Sequence, residues 1–481
     1  MTTTKHRRSK CSEGKRATIK RRPISGEILQ EDQHGWKVIR IYGNAYDRGH
    51  AHGHVLRSDL RNIVSKLRFL ITVVFDMPYD AYMTYCHKHI LPIVQYEYTE
   101  IYDELRGIRD GSRHAITMQE LIAWNAWLSM YNVHLFVKKR HTQKRNKNQN
   151  RRKHLRKRRQ LVAAQRCSAF IATGDATKPG SGIVMAHNTH ADMASAILFN
   201  IVIYVDPMTH GGNPFVMQTC AGYVASGSDW FITHAGIVGC ETTISDTNYE
   251  VTFRRRDRHP YFCRIRRVMQ YGNTLDECAE WMQLHNAGDY ASSWLFGDIR
   301  TGEIMLYENG CTQHNVQRTT NGVFYGMNSA HDFALRNQDT DDLLHVDRMT
   351  SSGARNVRLD ALLNHRYYGK IDIDVAKRVL SDHYDVQVER DHHPSSRTIC
   401  NHYFLDPTTS SPYYPHSSTD GKVVDSRMAK HMSFCGRWGA SCGMAFSAKD
   451  HLRSHPEYQS WKPYLVDLPS QPWTNISMST L

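Results

Sequence analysis

No stretch of this sequence approaches the roughly 18 consecutive apolar residues that a membrane-crossing helix needs. The basic beginning of the chain is not followed by an apolar run of signal-peptide length. Neither a membrane span nor a secretory leader is therefore expected. Cysteine occurs eleven times, an odd count, and never in CxxC spacing. Scatter of this kind points to free thiols in a reducing compartment, not to a disulfide framework, so the expected location is cytoplasmic, nuclear or inside a particle. A phosphate-binding glycine loop, a GxSxG nucleophile elbow and an internal repeat are all missing. His50, His52 and His54 alternate, but alternation on a helix does not bring three ligands together, and a glycine-rich helix start accounts for them better. No metal or other cofactor is expected.

Acidic residues are nearly absent from two segments. Residues 5–22 hold nine Lys and Arg against Glu13 alone, and residues 138–159 hold thirteen with no acid at all. The formal net charge is +14, so once these +8 and +13 are set aside the remaining chain carries −7. The basicity belongs to two appendages on a mildly acidic body. Like-charge blocks repel themselves and stay solvated. They suit nucleic acid or an anionic membrane as partner, or a solubilising tail with no ligand. No aromatics are interleaved within them, so base stacking is not indicated.

Apolar residues make up 40% of 481 residues and run from about residue 36 to the end, enough for one large core. Trp36–Tyr42 (WKVIRIY) reads as a strand leading into GNAYDRGHAHGH. Residues 55–75 carry apolar positions at helical spacing, and a second helical stretch is expected over roughly 84–107. Thr117 with Glu120 forms a capping-box pattern for a third. After the second basic block the period shortens: CSAFIATG, GIVMAHN, AILFNIVIYVD, PFVMQTCAG and GIVGCETTI read as strands. Trp294–Glu308 reads as a hairpin turning at Asp298–Gly302. Thr274–Glu277 caps another helix, and one more is expected over Val375–His383. Strands in runs with helices set between them indicate an α+β layered fold. The expected division is a basic arm (1–24), a helical N-terminal segment (25–136), a basic linker (137–166) and a catalytic core (167–481).

Most cysteines are small buried hydrophobes. Cys167 differs in opening the first strand directly after the basic linker. Were the Arg166–Cys167 bond cut, the new α-amine, with a reference pKa of about 7.7–8.0, would sit on the same residue as a thiol, placing base beside nucleophile. A thiol can also attack the preceding carbonyl by N–S acyl shift, so self-cleavage is chemically reasonable.

The stretch CSAFIATGDATKPGSGIVMAHNTHADM resembles the start of the mature chain in the C45 acyltransferase/phospholipase B-like group of N-terminal-nucleophile hydrolases. GNAYDRGHAHG, ASGSDWFITHAGIVGCETTIS, SSWLFGDIRTGEIMLYENG, SSRTICNHYF and SPYYPHSSTDGKVVDSRMAKHMSFCGRWGASCG resemble further blocks of that group, in order over about residues 36–465. The resemblance implies an αββα sandwich and a self-processing cysteine hydrolase or acyltransferase acting on an amide or acyl ester. It implies Cys167 as nucleophile and its α-amine as base, with His187 and Asn188 at the end of the second strand. It also implies Asn328 polarising the carbonyl or holding the amine, and Arg397 positioning a carboxylate or supporting the site. Thr233 and His190 stand where relatives often have other residues, which puts an oxyanion donor at Thr233 in doubt. Two alternatives stand beside this reading: a phospholipase B-like lipid acyl-ester hydrolase, and an inactive fold of the same type that binds nucleic acid through its basic segments.

Overall fold

The computed structural model describes residues 24–130, 166–208, 211–248, 259–342 and 345–478. Both basic segments, 5–22 and 138–159, lie outside the described residues.

Two β-sheets dominate. The first has nine strands in the order β1 (Gly26–Gln33), β2 (Trp36–Tyr42), β5 (Ile201–Asp206), β6 (Phe215–Thr219), β7 (Trp230–Thr233), β8 (Ile237–Thr243), β9 (Ser292–Asp298), β10 (Glu303–Asn309), β11 (His314–Thr319). The second runs β12 (Gly322–Gly326), β3 (Arg166–Thr173), β4 (Val184–Asp192), β14 (Asp420–Asp425), β15 (Ser433–Trp438), β16 (Thr474–Ser477), with β13 (His416–Ser418) paired to β4. Pairing is antiparallel throughout except β2 with β5, which is parallel from Lys37↔Ile201 to Tyr42↔Asp206.

The period-two alternation of β3 shows how the layers stack. Ala169 and Ile171 join the large core that also holds Val238, Leu295 and Phe296 of the first sheet. Phe170 and Ala172 point the other way, into a second core with Leu359, Val379 and Leu380. The sheets therefore face one another, and helices close the outer side of the second sheet. The architecture is mixed α+β, as the run pattern of the sequence indicates.

The helices that frame the sheets fall in two groups. Ahead of β3 come α1 (Ala45–Val55), α2 (Arg57–Phe69), α3 (Tyr79–Tyr85), α4 (Leu91–Glu97), α5 (Thr99–Gly111) and α6 (Met118–Asn125); beyond β8 come α7 (Tyr261–Tyr271), α8 (Leu275–Gln283), α9 (Phe333–Asp339), α10 (Ser351–Asp360) and α11 (Ile373–Leu380). The Thr117/Glu120 capping box forms with both reciprocal bonds. Thr274 caps α8 through the Glu277 N–H, and β9–β10 make the hairpin turning at Asp298–Glu303. The helical stretch expected over roughly 84–107 is helical, built from the end of α3, a π-helical turn (Cys86–Ile90), α4 and α5. Pro92 has no N–H to donate, and the π-helical turn directly before it lets the helical run pass from α3 into α4 across that gap.

The described part of the N-terminal segment, residues 25–130, is mostly helical but contributes two strands. β1 and β2 are welded into the nine-stranded sheet, and β5, from beyond Cys167, pairs directly with β2. The glycines of GNAYDRGHAHGH serve a helix crossing, not only a helix start. A Cβ on Gly49 would lie 2.0 Å from the Glu104 carbonyl oxygen, and one on Gly107 would lie 2.2 Å from that of Tyr46. Gly53 and Gly111 meet Ile108 and His50 in the same way. Arg48 on α1 and Arg266 on α7 both hydrogen-bond Glu104 of α5, with all three buried. His52 accepts the Gly222 N–H at 2.8 Å.

Candidate functional site

Cys167 is the second residue of β3 and is buried, at 5% exposure. Its cross-strand partner on β4 is Thr189, and Ala169 pairs with His187. Alternation therefore puts Cys167, His187 and Thr189 on the face that looks toward the first sheet. Lys422 of β14, opposite His187, shares that face. Asn188 and His190 lie on the other side.

On the β12 side the ladder stops at Gly326↔Ala169. Two residues later Asn328 takes φ 74°, a left-handed conformation that Asn adopts more readily than most residues. Its Oδ1 accepts the Cys167 backbone N–H at 2.8 Å, and its Nδ2 donates to the Thr243 carbonyl at 2.8 Å. Arg355 of α10, wholly buried, completes the cradle. Its guanidinium donates to the Cys167 carbonyl, to Ser168 Oγ at 3.1 Å and to Asn328 Oδ1 at 2.9 Å. Since Oδ1 meets only donors and Nδ2 meets an acceptor, the amide orientation is fixed by its partners.

Burial pushes the Cys167 thiol well above the usual range, and the carboxyls of Glu241 and Asp229 push it further. The His190 backbone N–H and the Lys422 ammonium act in the opposite sense. Glu241 of β8 is itself raised, first by burial and then by the charge of Asp229; Asp229 is raised by burial as well. Tyr290 donates to Glu241 and Tyr261 to Asp229. Two acids that close, away from water, cannot both ionise, so the pair holds a proton near neutrality. Lys422, fully buried, is answered by Asp420 at 2.9 Å and Thr189 Oγ1 at 2.8 Å.

His187 Nε2 lies 2.8 Å from the Glu241 carbonyl, which can only accept, so Nε2 carries the proton and Nδ1 is a bare acceptor. Burial drives the ring's pKa well down and keeps it neutral. His187 Nδ1 is buried with no hydrogen-bond partner among the described residues, while Glu241 and Asp229 share a side-chain hydrogen bond. An unpartnered buried acceptor costs about 1–3 kcal/mol, which a hydrogen-bond donor reaching His187 Nδ1 would relieve.

Of the residues singled out from the sequence, the structure brings together Cys167, Asn328 and His187. Asn188 faces the helix layer, its Nδ2 donating to the carbonyls of Leu380 and Ile399. His190 does likewise, with Nε2 at 3.1 Å from the Ile399 carbonyl. Arg397 is engaged elsewhere, paired with Asp385 at 2.8 Å and Asp406 at 3.6 Å; the arginine at Cys167 is Arg355. Thr233 ends β7, where its hydroxyl accepts the Ile237 N–H across the turn to β8. Sequence reasoning passes over Asp229 and Glu241, although carboxylates set in GSDWF and GCETT, among strand-forming residues, signal buried acids. Arg355 offers no comparable signal, because SSGARNVRLD reads as a solvated helix face.

No protein-family model matches the chain, and no curated protein matches it. None of the helices among the described residues is long and apolar enough to cross a membrane.

Proposed function

We propose that this chain is a self-processing N-terminal-nucleophile hydrolase of αββα sandwich type, acting on an amide or acyl ester through an acyl-enzyme on Cys167. The observation that carries this reading is the cradle around the main chain of one residue. Asn328 accepts the Cys167 N–H while Arg355 grips the Cys167 carbonyl. A buried structural cysteine needs neither a side-chain acceptor on its nitrogen nor a buried guanidinium on its oxygen.

In the uncut chain Cys167 Sγ attacks the Arg166 carbonyl carbon, the C–N bond breaks, and the thiol proton passes to the departing nitrogen. Residue 166 is then a thioester on Cys167, and water releases it as a carboxylate, freeing thiol and α-amine. The amine inherits the Asn328 acceptor, and the positive Arg355 beside it disfavours the ammonium form. A neutral amine can then take the thiol proton when substrate arrives. The acyl group moves to Sγ, the leaving amine or alcohol collects the proton, and water or a second nucleophile completes the turnover. Asn328 holds the amine through Oδ1, and with one Nδ2 hydrogen on the Thr243 carbonyl it has a second to turn toward a substrate carbonyl. His187 Nδ1 offers the substrate an acceptor.

Processing is the direct test. Denaturing electrophoresis and intact mass should give chains 1–166 and 167–481 that comigrate under native conditions, and Cys167→Ala should stay whole. A wild-type chain that remains 481 residues long after prolonged incubation, and hydrolyses no member of an N-acyl amide and acyl ester panel, sinks the reading.

A further inference from the structure

On the outer, helix-covered side of the second sheet, four side chains from three separate segments converge. His383 follows α11, Cys400 and His402 lie in the segment after Arg397, and Cys442 follows β15. One ligand-type atom from each lies within 4.8 Å of every other. His402 Nε2 is 3.0 Å from His383 Nε2, 3.4 Å from Cys400 Sγ and 3.5 Å from Cys442 Sγ. Hydrogen bonding cannot account for this. A ring nitrogen has either one proton or one lone pair, and here it faces three heteroatoms at once.

The protonation of His402 follows from its other nitrogen. Nδ1 is 3.2 Å from Ser417 Oγ, whose own hydrogen is directed at the Asn401 carbonyl, 2.9 Å away. Ser417 therefore accepts from Nδ1–H, and Nε2 presents a lone pair to the cluster. A second-neighbour hydrogen bond that sets the tautomer is characteristic of a metal-bound imidazole. The Met444 backbone N–H donates to Cys442 Sγ at 3.3 Å, a contact suited to a thiolate.

We propose that His383, Cys400, His402 and Cys442 bind a single zinc ion. Zn–N near 2.0–2.1 Å and Zn–S near 2.3 Å in a tetrahedron put N···S pairs about 3.6 Å and N···N pairs about 3.3 Å apart, close to the spacings seen. Two sulfurs with two imidazoles favour zinc over magnesium or calcium, which take oxygen. All four positions are filled by protein, so the ion is structural. It clips the segment whose Ile399 carbonyl takes hydrogen bonds from Ser168 and Asn188, and so steadies the strand pair behind Cys167.

This inference is independent of the reaction proposed for Cys167, and Cys167→Ala full-length chain serves to test it, so that processing plays no part. Elemental analysis after purification without chelator should find about one zinc per chain. Chelation should lower the melting temperature and added zinc restore it. Cobalt(II) in its place should give the intense visible bands of a tetrahedral site together with thiolate-to-cobalt charge transfer. Adding Cys442→Ser should reduce retained zinc at least tenfold and remove much of the charge-transfer band; because that variant could misfold, the cobalt spectrum of the parent chain stands as a second measurement. Three results overturn the proposal: no zinc retained and no tetrahedral cobalt spectrum; a mass two hydrogens short, with Cys400 and Cys442 joined as a disulfide; or zinc unaffected by changing His402 and Cys442 together.

Discussion

Arg355 is the residue on which the proposed chemistry turns most sharply, because it touches the nucleophile's backbone yet has no direct part in bond making. Its charge, held against Asn328 Oδ1 and the Cys167 carbonyl, opposes a second positive charge on the α-amine. Arg355→Met should therefore raise the amine's pKa and move the acid limb of the kcat/KM profile upward, by on the order of one pH unit. Arg355→Lys, which keeps the charge, should leave the limb near its original place. Both are to be read on the matured fraction alone. Equal limbs in all three proteins would reduce Arg355 to packing. At this scale the sequence singles out Cys167 through its position after the linker. It hides the guanidinium, since an arginine 188 positions away announces itself only when α10 is laid over β3.

Among the elements, the crossing of α1 and α5 is decided by the absence of side chains. Replacing a mid-helix glycine by alanine ordinarily stabilises by about 1 kcal/mol. At Gly107 the added methyl would stand 2.2 Å from a backbone carbonyl, and backbone cannot swing aside as a side chain can. Overpacking of this kind costs about 1–3 kcal/mol, occasionally more, so the clash should win. Gly107→Ala should lower the melting temperature, and a rise would mean the helices are free to part. The sequence displays both glycine pairs, Gly49/Gly53 and Gly107/Gly111, at one-turn spacing. Read one segment at a time, they look like helix punctuation; only their mutual contact reveals the purpose. The strand β11 is hidden in the sequence for a different reason. β11 is largely exposed and polar, so it lacks the apolar alternation that betrays a half-buried strand.

Across the whole molecule, α1, α5 and α7 are tied to one another by a largely buried charge network. Burial alone would raise the Glu100 carboxyl, but hydrogen bonds from Tyr271 and Arg48 outweigh it and hold it down to about 2. A carboxylate depressed in the folded state stabilises above its ordinary pKa and loses that contribution as pH falls through the folded value. Thermal stability should therefore drop between about pH 4.5 and 2, and Glu100→Gln should flatten that part of the curve. An unchanged slope would place the acid sensitivity elsewhere. The α+β layering was legible in the change of hydrophobic period after residue 160, because each strand carries its own pattern. The seam between the chain's two halves was not, because a parallel pair formed by residues about 160 positions apart leaves no local trace. That seam, β2 against β5, has a consequence for the life of the protein. While the backbone is continuous, the two strands meet at an effective concentration fixed by the tether. Cleavage at Arg166 would make their reunion a second-order encounter, so a matured molecule that unfolds would recover at a rate set by dilution, and the precursor alone would refold as a single chain.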